Sequence, residues 1–264
     1  MGADPTVGRD LPNLDQGPSR DGQRLPLPGG RGLPLALAAE RLWAIAQRSP
    51  GGMSAQPTGQ TVRGYWDRFH RDGIWADAAA LLTPAARARL GKTSESSTGI
   101  VDAQSVVSGP QKGARGVDGH KKVKGIKRHV LTCSFGFVLA VLVTAANLHD
   151  THGLAPLLER AREAGWDLAR VKVDGIYTGP TVSAAAERHG VDVQVSLRDP
   201  TVHSFAPLPV RWRIEATFGT LTNRYRRLTR NLEQSPDAAE NLVELANLRR
   251  VLRVLTRPTQ QQEW

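Results

Sequence analysis

Three carboxylates are set apart from the other acids of this chain by their surroundings. Asp102 lies inside the apolar run Ile100-Val101-Asp102-Ala103. Asp174 follows Val171-Lys172-Val173 and precedes Gly175, and Glu215 follows Ile214 among small and apolar neighbours. Carboxylate oxygens are hard donors that suit Mg²⁺, a cation that keeps several waters and needs few protein ligands. Two such cations held about 3.5–4 Å apart can activate the attacking and leaving oxygens of a phosphodiester while neutralising the charge that develops on phosphorus oxygens. The three acids are far apart in sequence, so this chemistry depends on a fold that brings them together.

The elements that would do so follow from periodicity. Ile100 to Val106 reads as a short strand carrying Asp102, followed by a glycine-rich loop over 107–120. Lys121 to Cys133 and Phe137 to Ala145 read as two further strands, all three antiparallel. Leu154 to Ala164 is a helix with Leu154, Leu157, Leu158 and Ala161 on one face, capped by Asp150 or Thr151. A strand over Leu168 to Val173 ends at Asp174, where Gly175 and Gly179 allow a turn. Thr181 to His189 is a helix, Val191 to Leu197 a strand, and 198–209 a proline-containing loop. Val210 to Leu228 reads as one amphipathic helix, with Ile214, Phe218, Leu221, Tyr225 and Leu228 at steps of four and three. Glu215 falls at the edge of that stripe. Gly219 costs roughly 1 kcal/mol against Ala inside a helix, which suggests a close approach there. Pro236 to Leu255 is a last amphipathic helix. This order of strands and helices is that of an α/β fold with an RNase H-like mixed sheet flanked by helices.

Upstream, Val62, Tyr65, Trp66 and Phe69 share one helical face, with Thr61 as N-cap. Asp72-Gly73 makes a turn, and Ile74, Ala78, Leu81 and Leu82 continue on a second helix. Residues 59–92 are therefore a small helical region, either helix-turn-helix-like and DNA-binding or a plain helical hairpin. Residues 1–58 form an atypical N-terminal segment. Its first part is rich in Pro and Gly without an aromatic residue, as in disordered chains, and a short helix is expected over Leu35 to Arg48. Residues 93–235 make the main domain after a Ser/Thr-rich linker, and 236–264 a C-terminal helix and tail.

The chain has 264 residues, 40% of them hydrophobic, and a net charge of +10; its pI is about 10.4. That balance favours a polyanionic partner. The single cysteine, Cys133, lies in an apolar run and reads as a buried thiol, which excludes a disulfide framework. No apolar run suits a bilayer span and no signal peptide is apparent, so the expected location is cytoplasmic and nucleoid-associated. Lys112, Arg115, Lys121, Lys122, Lys124, Lys127 and Arg128 stand against Asp118 alone between positions 111 and 128. Together with Arg211, Arg224, Arg226 and Arg227 they are candidates for phosphate contact, the alternative being a solvated strand face that guards a sheet edge. His149 and His152 read as helix-cap and surface imidazoles rather than metal ligands.

The segments IVDAQSV, GVDGHKKVKGIKRHVL, VLAVLVTAANLHD, VKVDGIYTG and WRIEATFGTL, in this order, resemble the DDE transposases of bacterial insertion sequences, over roughly residues 99–230. TVRGYWDRFHRDGIW resembles the helical N-terminal part of that family. The resemblance implies an RNase H-like catalytic domain in which Asp102, Asp174 and Glu215 bind two Mg²⁺ ions, with Mn²⁺ able to substitute. It implies hydrolysis at the element's ends, then attack of the freed 3′-hydroxyl on target DNA, by a chain that acts as a homodimer on DNA. Asp150 and Tyr177 match recurring family positions and are weaker site candidates. Ala216 stands where the family usually has Arg, Thr220 where it commonly has Trp, and Thr222 where a basic residue is common. A catalytically degenerate DNA-binding remnant and an RNase H-like metal-dependent nuclease therefore remain alternative readings.

Overall fold

The computed structural model describes residues 59–94, 96–196 and 211–257. The expectations for residues 1–58 and for the loop 198–209 lie outside the described residues. Six strands form one mixed sheet: β1 (Thr98–Val107), β2 (Gly116–Asp118), β3 (Val123–Cys133), β4 (Val138–Ala145), β5 (Arg170–Val173) and β6 (Asp192–Val195). β3 pairs antiparallel with both β1 and β4, and β2 continues the edge of β3 beyond β4. β5 then runs parallel to β1, and β6 parallel to β5. Three antiparallel strands followed by two parallel ones reached through helices is the RNase H-like arrangement expected from the element order.

The helices are α1 (Gly59–Arg71), α2 (Ile74–Arg89), α3 (Leu154–Glu163), α4 (Pro180–His189), α5 (Arg211–Arg224), α6 (Arg226–Thr229) and α7 (Pro236–Thr256). One face of the sheet presents Val101, Leu131, Val171 and Val173 to Leu154, Leu157 and Leu158 of α3 and Val182 of α4. The opposite face presents Ile100, Val130 and Val138 to Ile214, Phe218 and Leu221 of α5 and Val243 of α7. Strands β1 and β3 are thus covered on both sides, which explains why they read as nearly continuous apolar runs. Among the described residues no helix is long and apolar enough to cross a membrane.

The helical hairpin α1–α2 turns at Gly73, whose φ of 65° favours glycine. Thr61 lies inside α1, not at its cap. Ala78, Ala79, Leu82 and Ala86 of α2 belong to the same core cluster as the sheet. A recognition helix must keep one face free for a DNA groove. From Ile74 to Arg87 every residue of α2 is buried or half-buried. Helix α7 is integrated in the same way. Its Asn247 side chain bonds the backbone N–H and C=O of Val138 at 2.9 and 3.0 Å, and Glu240 accepts the Val143 N–H at 2.8 Å. These bonds cover the outer edge of β4, an edge that otherwise invites pairing with another chain.

Four local expectations are corrected. The helix expected over 210–228 ends at Arg224, and Tyr225 is extended at φ −122° and ψ 90° before α6. The Thr222 hydroxyl bonds back to the carbonyls of Phe218 and Gly219, a habit that weakens helices, and the Leu228 carbonyl is taken by Arg128 at 2.8 Å. Among the described residues a Cβ at Gly219 would meet nothing within 4 Å, so none of them makes the close approach expected there. The turn before α3 is capped by His149, which accepts from the Thr151 N–H, in place of Asp150 or Thr151. Gly179 adopts φ 91°, whereas Gly175 is not among the positive-φ glycines.

Candidate active site

Strands β1 and β5 are in register at Thr98–Arg170, Gly99–Val171 and Ile100–Lys172. The same offset carried two residues on sets Asp102, midway along β1, level with Asp174, just past the end of β5. Ligand sites of α/β sheets form outside such carboxyl ends. Strand alternation gives Asp102 the face of Ile100, which packs under α5. Both aspartates are half-buried. Each is oriented by its own backbone: Asp102 Oδ1 accepts the Ala103 N–H at 2.7 Å, and Asp174 Oδ1 accepts the Ile176 N–H at 3.1 Å. The turn after Asp174 closes when the Tyr177 N–H donates to the Asp174 carbonyl at 3.2 Å.

That turn drives Tyr177 into the core, where it is 0% exposed. Its hydroxyl has no hydrogen-bond partner among the described residues. Burial pushes the phenol well above its ordinary pKa, and the negative charges of Asp102, Asp150 and Asp174 push it further. The hydroxyl therefore lies in the combined field of three carboxylates and stays protonated, a donor without an acceptor of its own.

Glu215 occupies the first part of α5, next to Ile214, which anchors the helix over Ile100. Its side chain is exposed. Among the described residues no three His, Cys, Asp or Glu side chains come close enough to share one metal ion. By register Asp102 and Asp174 fall at neighbouring positions of β1 and the end of β5, and Glu215 lies on the overlying helix. The pair offers the hard oxygen donors that a divalent cation such as Mg²⁺ prefers.

A second charged cluster lies on the same sheet and was missed as such in the sequence. Lys127 is 5% exposed, and its ammonium pairs with Asp150 Oδ1 at 2.6 Å and Asp118 Oδ2 at 3.6 Å while donating to the Leu148 carbonyl at 2.7 Å. Burial alone would raise the Asp118 pKa. The Ser105 hydroxyl at 2.5 Å, the Lys121 and His120 N–H groups and the Lys127 charge outweigh it and hold the carboxyl far below its usual range. Beside them His129 is pushed down to about 4, mainly by burial and against the pull of Asp150. Its ring lies so close to Gly153 that a Cβ there would collide with it. The signal available in the sequence was the lone Asp118 among seven cations, which marks an internal pair.

The candidate phosphate contacts separate accordingly. Lys121, Lys122, Lys124, Arg224, Arg226 and Arg227 are exposed. Lys121 also reaches the Ala103 carbonyl beside Asp102 at 3.2 Å, and Arg227 pairs with Glu233 at 2.7 Å. Lys127 and Arg128 are corrected. Arg128 is 1% exposed and spends a guanidinium N–H on Leu228, so neither cation faces a ligand. Arg211 heads α5, and its side chain lies outside the described ones. Asp150 belongs to the Lys127 cluster, within electrostatic reach of Tyr177. Cys133 is buried and free, as expected.

Residues 93–248 match the model of a family described as a transposase DDE domain. Among solved structures the chain is similar to the catalytic core domain of BIV integrase, at 11% identity, covering 58% of this chain and 82% of that one, with a TM-score of 0.37. It is also similar to the Mos1 mariner paired end complex with Mn, at 13% identity, covering 89% of this chain and 80% of that one, with a TM-score of 0.28. No curated protein matches the chain.

Proposed function

The chain belongs to the transposase DDE-domain family, and on that premise we propose that it hydrolyses phosphodiesters at the ends of an insertion sequence and joins the freed 3′-hydroxyl to target DNA. What supports this reading is the parallel register of β1 and β5, which pairs Ile100 with Lys172 and, carried two residues on, brings Asp102 level with Asp174 just past the end of β5. With Glu215 from α5 they would hold two Mg²⁺ ions, Mn²⁺ serving in their place. Bound there, such cations supply the Lewis-acid neutralisation that phosphoryl transfer requires. The chain's own contribution is orientation. Backbone N–H groups fix one oxygen of each aspartate, and α5 carries Glu215 over the strand that bears Asp102. The exposed Lys121, Lys122, Lys124, Arg224, Arg226 and Arg227 would meet the phosphate backbone, and two chains would act together to bring two DNA ends into one complex.

A second reading is favoured by one observation. Ala216, Thr220 and Thr222 stand where the family commonly has Arg, Trp and a basic residue, as suits a DNA-binding remnant that no longer cleaves. Strand nicking separates the two. A duplex carrying the terminal repeats that flank the coding sequence is incubated with Mg²⁺, Mn²⁺ or EDTA, beside the Glu215→Ala protein. Metal-dependent nicking that this variant loses supports the enzyme. Tight binding with no nicking under either metal supports the remnant.

A further inference from the structure

Strand β1 outruns its parallel neighbour. Its pairing with β5 stops at Ile100, although β1 continues to Val107. Backbone groups need partners wherever a neighbouring strand is missing, and at Ala103 side chains supply them. The Ala103 N–H donates to Asp102 Oδ1 at 2.7 Å, and the Ala103 carbonyl accepts from the Lys121 ammonium at 3.2 Å. A carboxylate of the candidate site and a lysine therefore flank one residue of β1, just beyond the level at which β5 gives out.

The reach of a long side chain is not all that brings Lys121 there. It lies in the turn between β2 and β3, which Asp118 fixes from inside the fold. One oxygen of that carboxylate accepts the N–H groups of His120 and Lys121, both at 3.0 Å, and the other accepts the Ser105 hydroxyl at 2.5 Å. Ser105 stands two residues beyond Ala103 on β1, so the root of Lys121 is tied to the same strand that its ammonium meets. Lys122, next in the turn, is the one non-glycine among the described residues with a positive φ, at 53°. Backbone held in a region that most residues avoid marks a turn whose shape its surroundings impose. Lys121 itself is exposed. An ammonium has three N–H donors, and the carbonyl takes one, leaving the rest for a ligand.

We propose that Lys121 is a catalytic residue, whose ammonium donates a hydrogen bond to a non-bridging oxygen of the scissile phosphate at Asp102 and Asp174. The inference rests on the phosphodiester reading of that site and assigns Lys121 to the reacting phosphate instead of the flanking backbone. In hydrolysis the water oxygen bonds to phosphorus, the bond from phosphorus to the 3′-oxygen breaks, and one water proton ends on the departing 3′-oxygen. Lys121 keeps its own proton throughout. Its part is to stabilise the charge on the phosphoryl oxygens from a position already fixed before the reaction, which is where a cation is most effective.

The test removes the ammonium and then restores it. Lys121→Cys deletes the charge. Alkylation of the introduced thiol by 2-bromoethylamine, with loss of bromide, rebuilds an ammonium of lysine-like reach, whereas 2-bromoethanol adds a neutral hydroxyl of the same length. The one native cysteine, Cys133, is buried, and mass spectrometry verifies a single adduct. Nicking of the terminal-repeat duplex is followed in single turnovers at saturating DNA, beside DNA affinity, Mn²⁺ binding and melting temperature. Lys121→Cys is expected to nick roughly 100-fold more slowly while keeping Mn²⁺ binding, and aminoethylation alone should recover at least about ten-fold. A wild-type rate at saturating DNA would make Lys121 a mere backbone contact, and loss of Mn²⁺ binding by the folded variant would make it a prop for Asp102. Either result, or the same recovery with both reagents or with neither, would overturn the proposal and leave the enzyme reading intact. A wild-type chain that binds the duplex but nicks it under neither Mg²⁺ nor Mn²⁺ would overturn the enzyme reading itself, and this role of Lys121 with it.

Discussion

Two groups of carboxylates sit on one sheet and are treated oppositely. Asp118 and Asp150 are buried and share the Lys127 ammonium, so their charge is neutralised inside the fold. Asp102, midway along β1, and Asp174, just past the end of β5, are half-buried, each accepting a backbone N–H. A carboxylate taken out of water must bring its own cation. One kept at the rim can receive a cation from solution. The first cluster is thus part of what makes the sheet stable, and the second is what the sheet presents.

The comparison breaks most sharply at the rim. Asp102→Ala or Asp174→Ala should reduce strand nicking to background with little loss of stability, because neither side chain fills the core. Nicking gels and thermal denaturation, run together, check both halves. Lys127→Met should do the reverse, leaving two buried acids without their cation. A loss of about 3–5 kcal/mol is expected from chemical denaturation, and adding Asp150→Asn should recover part of it.

His129 sharpens the same contrast through pH. An unfolded histidine binds its proton near 6.5, whereas burial lowers the folded value to about 4. Between these values the unfolded chain holds more protons, so stability rises with pH across the window and is lost as pH falls through it. The full span corresponds to about 3 kcal/mol, and denaturation midpoints at a series of pH values should flatten in His129→Asn. The smallest effect is expected for Tyr177→Phe, which removes a buried hydroxyl without a partner. Stability should hold or rise by up to about 1 kcal/mol. A fall in nicking rate without a change in DNA affinity would assign the hydroxyl to the acid pair.

Much of this was legible in the sequence for a physical reason. Strands covered on both faces write long apolar runs, so β1, β3 and β4 and their order were plain, and an acid interrupting such a run is conspicuous at Asp102. Side-chain direction along a basic strand is not written in the same way. Lys124 and Lys127 look alike in sequence, yet one is exposed and the other lies at the centre of a buried ion cluster. Tertiary bonds also overrode local periodicity at Tyr225, where the stripe continues to Leu228 but the helix does not. The placement of Glu215 depends on how α5 lies over β1, which no spacing along one chain encodes.

The most direct measurement is Mn²⁺ binding by electron paramagnetic resonance to four proteins: wild type, Asp102→Asn, Asp174→Asn and Asp118→Asn. Saturable binding by the wild type and by Asp118→Asn, lost in both rim variants, is the result expected if Asp102 and Asp174 form the cation site. Equal binding by all four, or loss in Asp118→Asn alone, would contradict it.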